Sequence, residues 1–172
     1  MTVTRVGKDL ENLAITWIAD FDASFESIWR LWSDPRLLER WLGPPTYPAT
    51  VSAFDLSPGG EATYALTGPG GETFTGKWTF VSVIPATSLE YVDGDPNSGE
   101  GMPVVNWNMH LFENEGRTRM EVRSRFSSLE DMNTMIEMGT LEGHAATIGQ
   151  MDALLEQLES GSPHTSPEVG RI

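Results

Sequence analysis

FDASFESIWRLWSDPRLLERWLGPP, residues Phe21–Pro45, packs Trp29, Trp32 and Trp41 into two short helical segments. A helix capped by Ser24 carries Phe25, Ile28, Trp29 and Trp32 at i, i+3, i+4 and i+7, which makes one stripe apolar. Ser27 stands where a capping box would place Glu or Gln. Ser33-Asp34-Pro35 reads as a stop, a new cap and a first-turn proline. The second segment, about Pro35 to Trp41, turns Leu37, Leu38 and Trp41 to one side, and Gly43-Pro44-Pro45 ends it. So much aromatic surface needs a large apolar partner, and the chain that follows is mostly β. The expectation is a curved sheet with this helix pair plugging one end.

Outward from the plug, Leu13–Asp20 alternates as a strand, after a polar lead-in over residues 1–12. Further strands are expected over 50–56, 61–67, 72–84, 87–93, 104–113 and 117–126. Turns over 57–60, 68–71, 85–86 and 114–116 and a turn-rich acidic loop over 94–103 separate them. Gly76 in the long fourth strand suggests a bend or bulge. In the last strand Arg117, Arg119, Arg123 and Arg125 share one parity and Thr118, Met120, Val122 and Phe126 the other, so the arginines form a solvated outer face.

Ser127 or Ser128 caps a final helical region. Met132, Met135, Met138 and Leu141, then Ala145, Ile148, Leu155 and Leu158, mark one apolar stripe to about Glu159, with bends expected at Gly139 and Gly143. Residues 160–172 read as a disordered tail. The order is strand, two helices, six mostly antiparallel strands, long helix. That is an α+β fold with a sheet of about seven strands wrapped on the C-terminal helix, in a single domain over 13–159.

Composition excludes several classes of function. The 172 residues carry 25 acidic against 11 basic side chains, a net charge of −14, which disfavours nucleic acid and anionic membrane surfaces. There is no cysteine, hence no thiol nucleophile and no thiolate metal site. The three histidines have no metal-ligand spacing, and the Met132-Met135-Met138 series suits an adaptable apolar surface better than a copper site. No G-x-S-x-G elbow or phosphate loop occurs. The chain opens on no signal-like segment and has no apolar run of membrane-spanning length, so a cytoplasmic protein is expected.

Several stretches resemble the bacterial branch of the START-like, polyketide-cyclase-like superfamily related to the activator of a heat-shock ATPase. They are residues 21–44, the glycine-punctuated sheet segment GGEATYALTGPGGETFTGKWTFVSVIP, EGRTRMEVRSRF, and GTLEGHAATIGQMDALLEQL. The resemblance covers about residues 13–159. It implies a helix-grip fold with a cavity between sheet and long helix that takes small, mainly apolar molecules. His144 stands where that branch usually has an aromatic residue, which makes the pocket more polar.

Parity supplies the candidate cavity residues independently. They are Phe74, Trp78 and Phe80; Tyr91; Trp107 and Met109; Met120 and Val122; and, from the helix, Met135, Met138, Leu141 and His144. Binding of a small hydrophobic or aromatic ligand, with no cofactor and no metal, is the leading expectation, by a monomer or homodimer. A cyclase- or hydrolase-type enzyme would use His144 or Tyr91 for proton transfer. A chaperone-cofactor-like interaction module would use the acidic surface or the 94–103 loop.

Overall fold

A computed structural model describes residues 3–95 and 103–171, and the side chains of 5–95 and 103–159. The strands are β1 (Val3–Asp9), β2 (Ala14–Phe21), β3 (Ala49–Phe54), β4 (Glu61–Thr67), β5 (Thr73–Ile84), β6 (Ser88–Asp93), β7 (Val105–Asn114) and β8 (Arg117–Arg125). The helices are α1 (Phe25–Ser33), α2 (Pro35–Leu42), α3 (Leu129–Glu137) and α4 (Thr140–Arg171). All strand pairs are antiparallel, in the spatial order β1-β2-β8-β7-β6-β5-β4-β3. The result is one curved, open sheet with a long C-terminal helix and a short helix pair after β2.

The extra strand is β1, formed by the segment expected to be a loose lead-in. It pairs with β2 from Asp9↔Ala14 outward. The reversal is held by Asn12, which donates both its backbone N–H and its side-chain amide to the Asp9 carboxylate, at 3.1 and 2.7 Å. Arg5, Val6, Gly7 and Lys8 are exposed, as the outer residues of an edge strand are.

The helix pair forms as its caps dictate. Ser24 Oγ accepts from Ser27 N, and Asp34 both ends α1, through its N–H on Arg30 O at 3.0 Å, and starts α2, through Oδ1 accepting from Arg36 N at 2.9 Å. Ile28, Leu31 and Trp32 are the deepest residues of α1, while Phe25 and Trp29 are half-buried. Leu37, Leu38 and Trp41 bury the facing side of α2. Trp32 and Trp41 meet edge-on at 4.7 Å, and Trp41 Nε1 donates to Leu31 O at 2.8 Å.

Helix α4 buries Ile148, Met151, Leu154 and Leu155. It is tied to the plug by Gln150, which donates to Trp41 O at 3.0 Å and Gly43 O at 2.8 Å, and to β2 by Trp17 Nε1 donating to Leu141 O at 3.1 Å. Of the two glycines expected to bend the C-terminal helix, Gly139 divides α3 from α4 at a φ of +91°, a conformation open to glycine and strained for other residues. Gly143 stays within α4. Gly76 is likewise regular, paired with Tyr64 in an unbroken β4–β5 register; the irregularity of β5 falls between Phe80 and Ser82. The expected disordered tail falls on residues 160–172, whose side chains lie outside the described set, and residues 96–102 of the acidic loop also lie outside it.

Candidate functional site

Between the sheet, the helix pair and the α3–α4 junction lies a cavity of about 270 Å³. Strands β4, β5, β6 and β7 supply Tyr64, Trp78, Tyr91 with Asp93, and Trp107; α1 and α2 supply Trp32 and Trp41. Met135, Met138, Gly143 and His144 close the helical side. An outer cleft shares Tyr64, Asp93, Trp107, Met135 and His144 with it and adds polar residues such as Ser52, Thr63 and Lys77. The site therefore grades from an aromatic interior to a polar mouth.

The interior wall is a ladder of rings built by strand register. Tyr91 and Trp107 are direct cross-strand partners, stacked at 6.4 Å, and Trp78 stacks on Tyr91 at 4.0 Å. The ladder continues onto α4, where His144 stacks on Trp107 at 4.5 Å and lies 5.1 Å from Trp17. At the other end Tyr64 meets Trp78 edge-on at 6.1 Å.

Three polar features stand in this apolar setting. His144 Nδ1 lies 3.2 Å from the Thr140 hydroxyl and 3.3 Å from Thr140 O, so Thr140 holds this edge of the ring. Burial pushes the imidazole pKa down to about 4, so the ring is neutral. Tyr64 donates its hydroxyl to Asp93, 3.2 Å from Oδ1 and 3.4 Å from Oδ2. Burial pushes the Asp93 carboxyl up to about 6, against the opposing pull of Tyr64 and of the nearby Trp78 N–H. The Tyr64 and Tyr91 hydroxyls are raised by the same burial and by the Asp93 charge. Finally, the buried Nε1 atoms of Trp32 and Trp78 have no hydrogen-bond partner of normal geometry among the described residues.

Of the residues singled out by parity, Trp78, Tyr91, Trp107, Val122, Met135, Met138 and His144 come together around the cavity. Phe80, Met109 and Met120 are fully packed core, 0–1% exposed, away from the cavity wall. Phe74 has the inward parity but lies near the hairpin end of β5, where it is 58% exposed and touches only Tyr47 among the aromatic rings, at 5.9 Å. Leu141 is half-buried beside β1 and β2 instead. The Met132 series divides: Met132 is core, Met135 lines the cavity, and Met138 is 61% exposed at its rim. Tyr64, Asp93, Trp32 and Trp41 were missed as site residues. The inward parity that marks Leu89 and Tyr91 also includes Asp93, so the signal was present.

A curved antiparallel sheet gripping a long C-terminal helix, with a plug of two short helices, is the helix-grip architecture of the START-like superfamily. Within it, the chain belongs to the activator of Hsp90 ATPase homolog 1-like family, whose model matches residues 22–156. Among solved structures it is similar to a protein from Arthrobacter aurescens, with 41% identity, TM-score 0.85, and 91% of this chain and 93% of that one covered. Protein Ms6760 from Mycobacterium smegmatis is similar at 39% identity and TM-score 0.81, covering 89% of this chain and 96% of that one. CalU16 from Micromonospora echinospora shares the fold at 19% identity and TM-score 0.58, covering 97% of this chain and 87% of that one. No protein of curated function matches. Among the described residues no helix is long and apolar enough to cross a membrane.

Proposed function

We propose that this protein binds a small, mainly apolar aromatic ligand in the cavity between the sheet and the α3–α4 junction. START-like folds commonly bind hydrophobic ligands. The observation that carries the reading is a cavity of about 270 Å³ walled by the rings of Trp32, Trp78, Tyr91 and Trp107. Small-molecule sites are concave, mostly apolar and carry a few placed polar groups, and here Tyr64, Asp93 and His144 supply those groups. We place the protein in the cytoplasm, as a monomer or homodimer.

The test is native mass spectrometry of freshly purified protein against its denatured mass, followed by calorimetric titration of Trp78→Ala and Met135→Ala. A small-molecule mass lost on denaturation, and affinity reduced in both variants, are the expected results. Variants that lose stability but keep full affinity would place the ligand elsewhere.

A further inference from the structure

The cavity contains a carboxylate for which the described residues supply no cation. Asp93 sits at the end of β6 on the cavity wall, and its hydrogen-bond partner is the neutral hydroxyl of Tyr64. No described lysine or arginine forms an ion pair with it. Lys77, on the neighbouring β5, is held by Glu61 at 3.4 Å and Asp95 at 3.7 Å. His144 faces the same space from α4 as a neutral imidazole, and the Tyr64 and Tyr91 hydroxyls are held protonated. Residues 96–102, PNSGEGM, contain no Lys, Arg or His, so that segment brings no positive charge either.

The surroundings suit a cation. A carboxylate has about four acceptor positions, and the Tyr64 hydroxyl, which donates to Asp93, leaves others open. Trp78 and Tyr91 stack at 4.0 Å, with Trp107 parallel beyond, and the cavity they line is an apolar wall for the ring of a ligand whose charge is held at Asp93. The protein as a whole carries a charge of −14, which steers cations toward it. The burial cost of the carboxylate is already met in the ligand-free fold, so pairing adds only the desolvation of the incoming group. A neutral hydroxyl could donate to the same carboxylate but would leave its charge uncompensated.

We propose that the ligand is a small aromatic amine, bound as its ammonium with the charged nitrogen on Asp93 and the ring against Trp78, Tyr91 and Trp107. This rests on the cavity being a ligand site. Tyr64 acts as a positioning residue, holding the carboxylate toward the cavity.

Tryptamine and its neutral isostere tryptophol, titrated calorimetrically near neutral pH, separate the two readings. Tryptamine is expected to bind at least about tenfold more tightly than tryptophol. Asp93→Asn is expected to bring the two within about threefold of each other. Tyr64→Phe, which keeps the carboxylate, is expected to retain the preference for the amine. Equal affinity of the two probes for the native protein, or a preference that survives Asp93→Asn, overturns the proposal while leaving the cavity as a neutral-ligand site. If neither probe binds and the native mass is bare, the cavity reading falls and this proposal falls with it.

Discussion

The ring of Tyr64 occupies the place a side chain would take on Gly76, its cross-strand partner: a Cβ there would stand 2.2 Å from Tyr64 Cζ and 2.3 Å from its hydroxyl oxygen. The glycine thus lets Tyr64 lie across β5 and reach Asp93. Gly76→Ala is expected to push the ring off the strand, to cost about 1–3 kcal/mol, and to break the Tyr64–Asp93 hydrogen bond. Urea unfolding together with the tyrosine hydroxyl signal in NMR reads both effects. An alanine variant as stable as the native protein would mean that the ring moves aside freely.

Asp93 is expected to weaken the ligand-free protein. Its carboxyl ordinarily titrates at 3.8 and is raised to about 6 by burial, so between those values the folded state holds more protons than the unfolded. Stability from this group falls as pH rises through that window and stays low above it. Asp93→Asn, which still accepts from Tyr64, is expected to stabilise by about 1–3 kcal/mol at neutral pH and by little near pH 4. Thermal unfolding at both pH values checks this, and destabilisation at neutral pH would refute it.

His144 acts with the opposite slope. Burial lowers its pKa from 6.5 to about 4, so the unfolded chain takes up a proton that the folded one does not. Its penalty is absent above about pH 7 and grows as pH falls toward 4. His144→Gln should therefore remove part of the acid sensitivity between those values without changing neutral stability by the same amount. Unfolding curves that shift in parallel at every pH would show the imidazole to be outside this balance.

Gly143 lines the cavity, and a Cβ added to it meets nothing within 4 Å. Because it lies within α4, alanine there is expected to gain about 0.5–1 kcal/mol of helix stability. Gly143→Leu, in contrast, projects into the cavity and is expected to reduce ligand affinity at least about tenfold while the fold persists. Calorimetry beside thermal unfolding separates the two; unchanged affinity in Gly143→Leu would move the ligand away from α4.

The outer face has its own acid-sensitive contact. Arg119 donates to both oxygens of Asp20, at 2.8 and 2.9 Å, and this holds the carboxyl below its usual range. The stabilisation is present above about pH 4 and is lost as pH falls through the lowered folded pKa. Asp20→Asn is expected to cost about 1–3 kcal/mol at neutral pH and progressively less in acid. A constant difference across pH would assign the cost to packing instead.

The sheet and helix pair were readable because their signals are local: capping residues, prolines and alternation decide those elements within a few positions. Strand β1 was not, because an edge strand with four successive exposed residues shows no buried face. Parity identified the face of the sheet that carries the site but not the depth along it. Met109 and Phe80 share that face with Trp107 and Trp78, yet packed core surrounds the first two and a gap adjoins the others. The gap depends on where α3 gives way to α4, a long-range relation that spacing does not encode. Asp93 was read as the last residue of its strand, on the parity of Leu89 and Tyr91, but the search for cavity residues selected apolar side chains and so passed over a carboxylate.

Asp34 closes one helix with its amide and opens the next with its carboxylate, so the two helices are joined without a spacer. Chain length is therefore fixed at this corner. An inserted residue would separate the two caps and rotate the apolar side of α2 by about 100° relative to α1, turning Trp41 from Trp32. Members of the family that are longer or shorter than this chain are expected to take up the difference at hairpin tips such as 68–71 and 114–116, leaving the 33–35 junction constant in length.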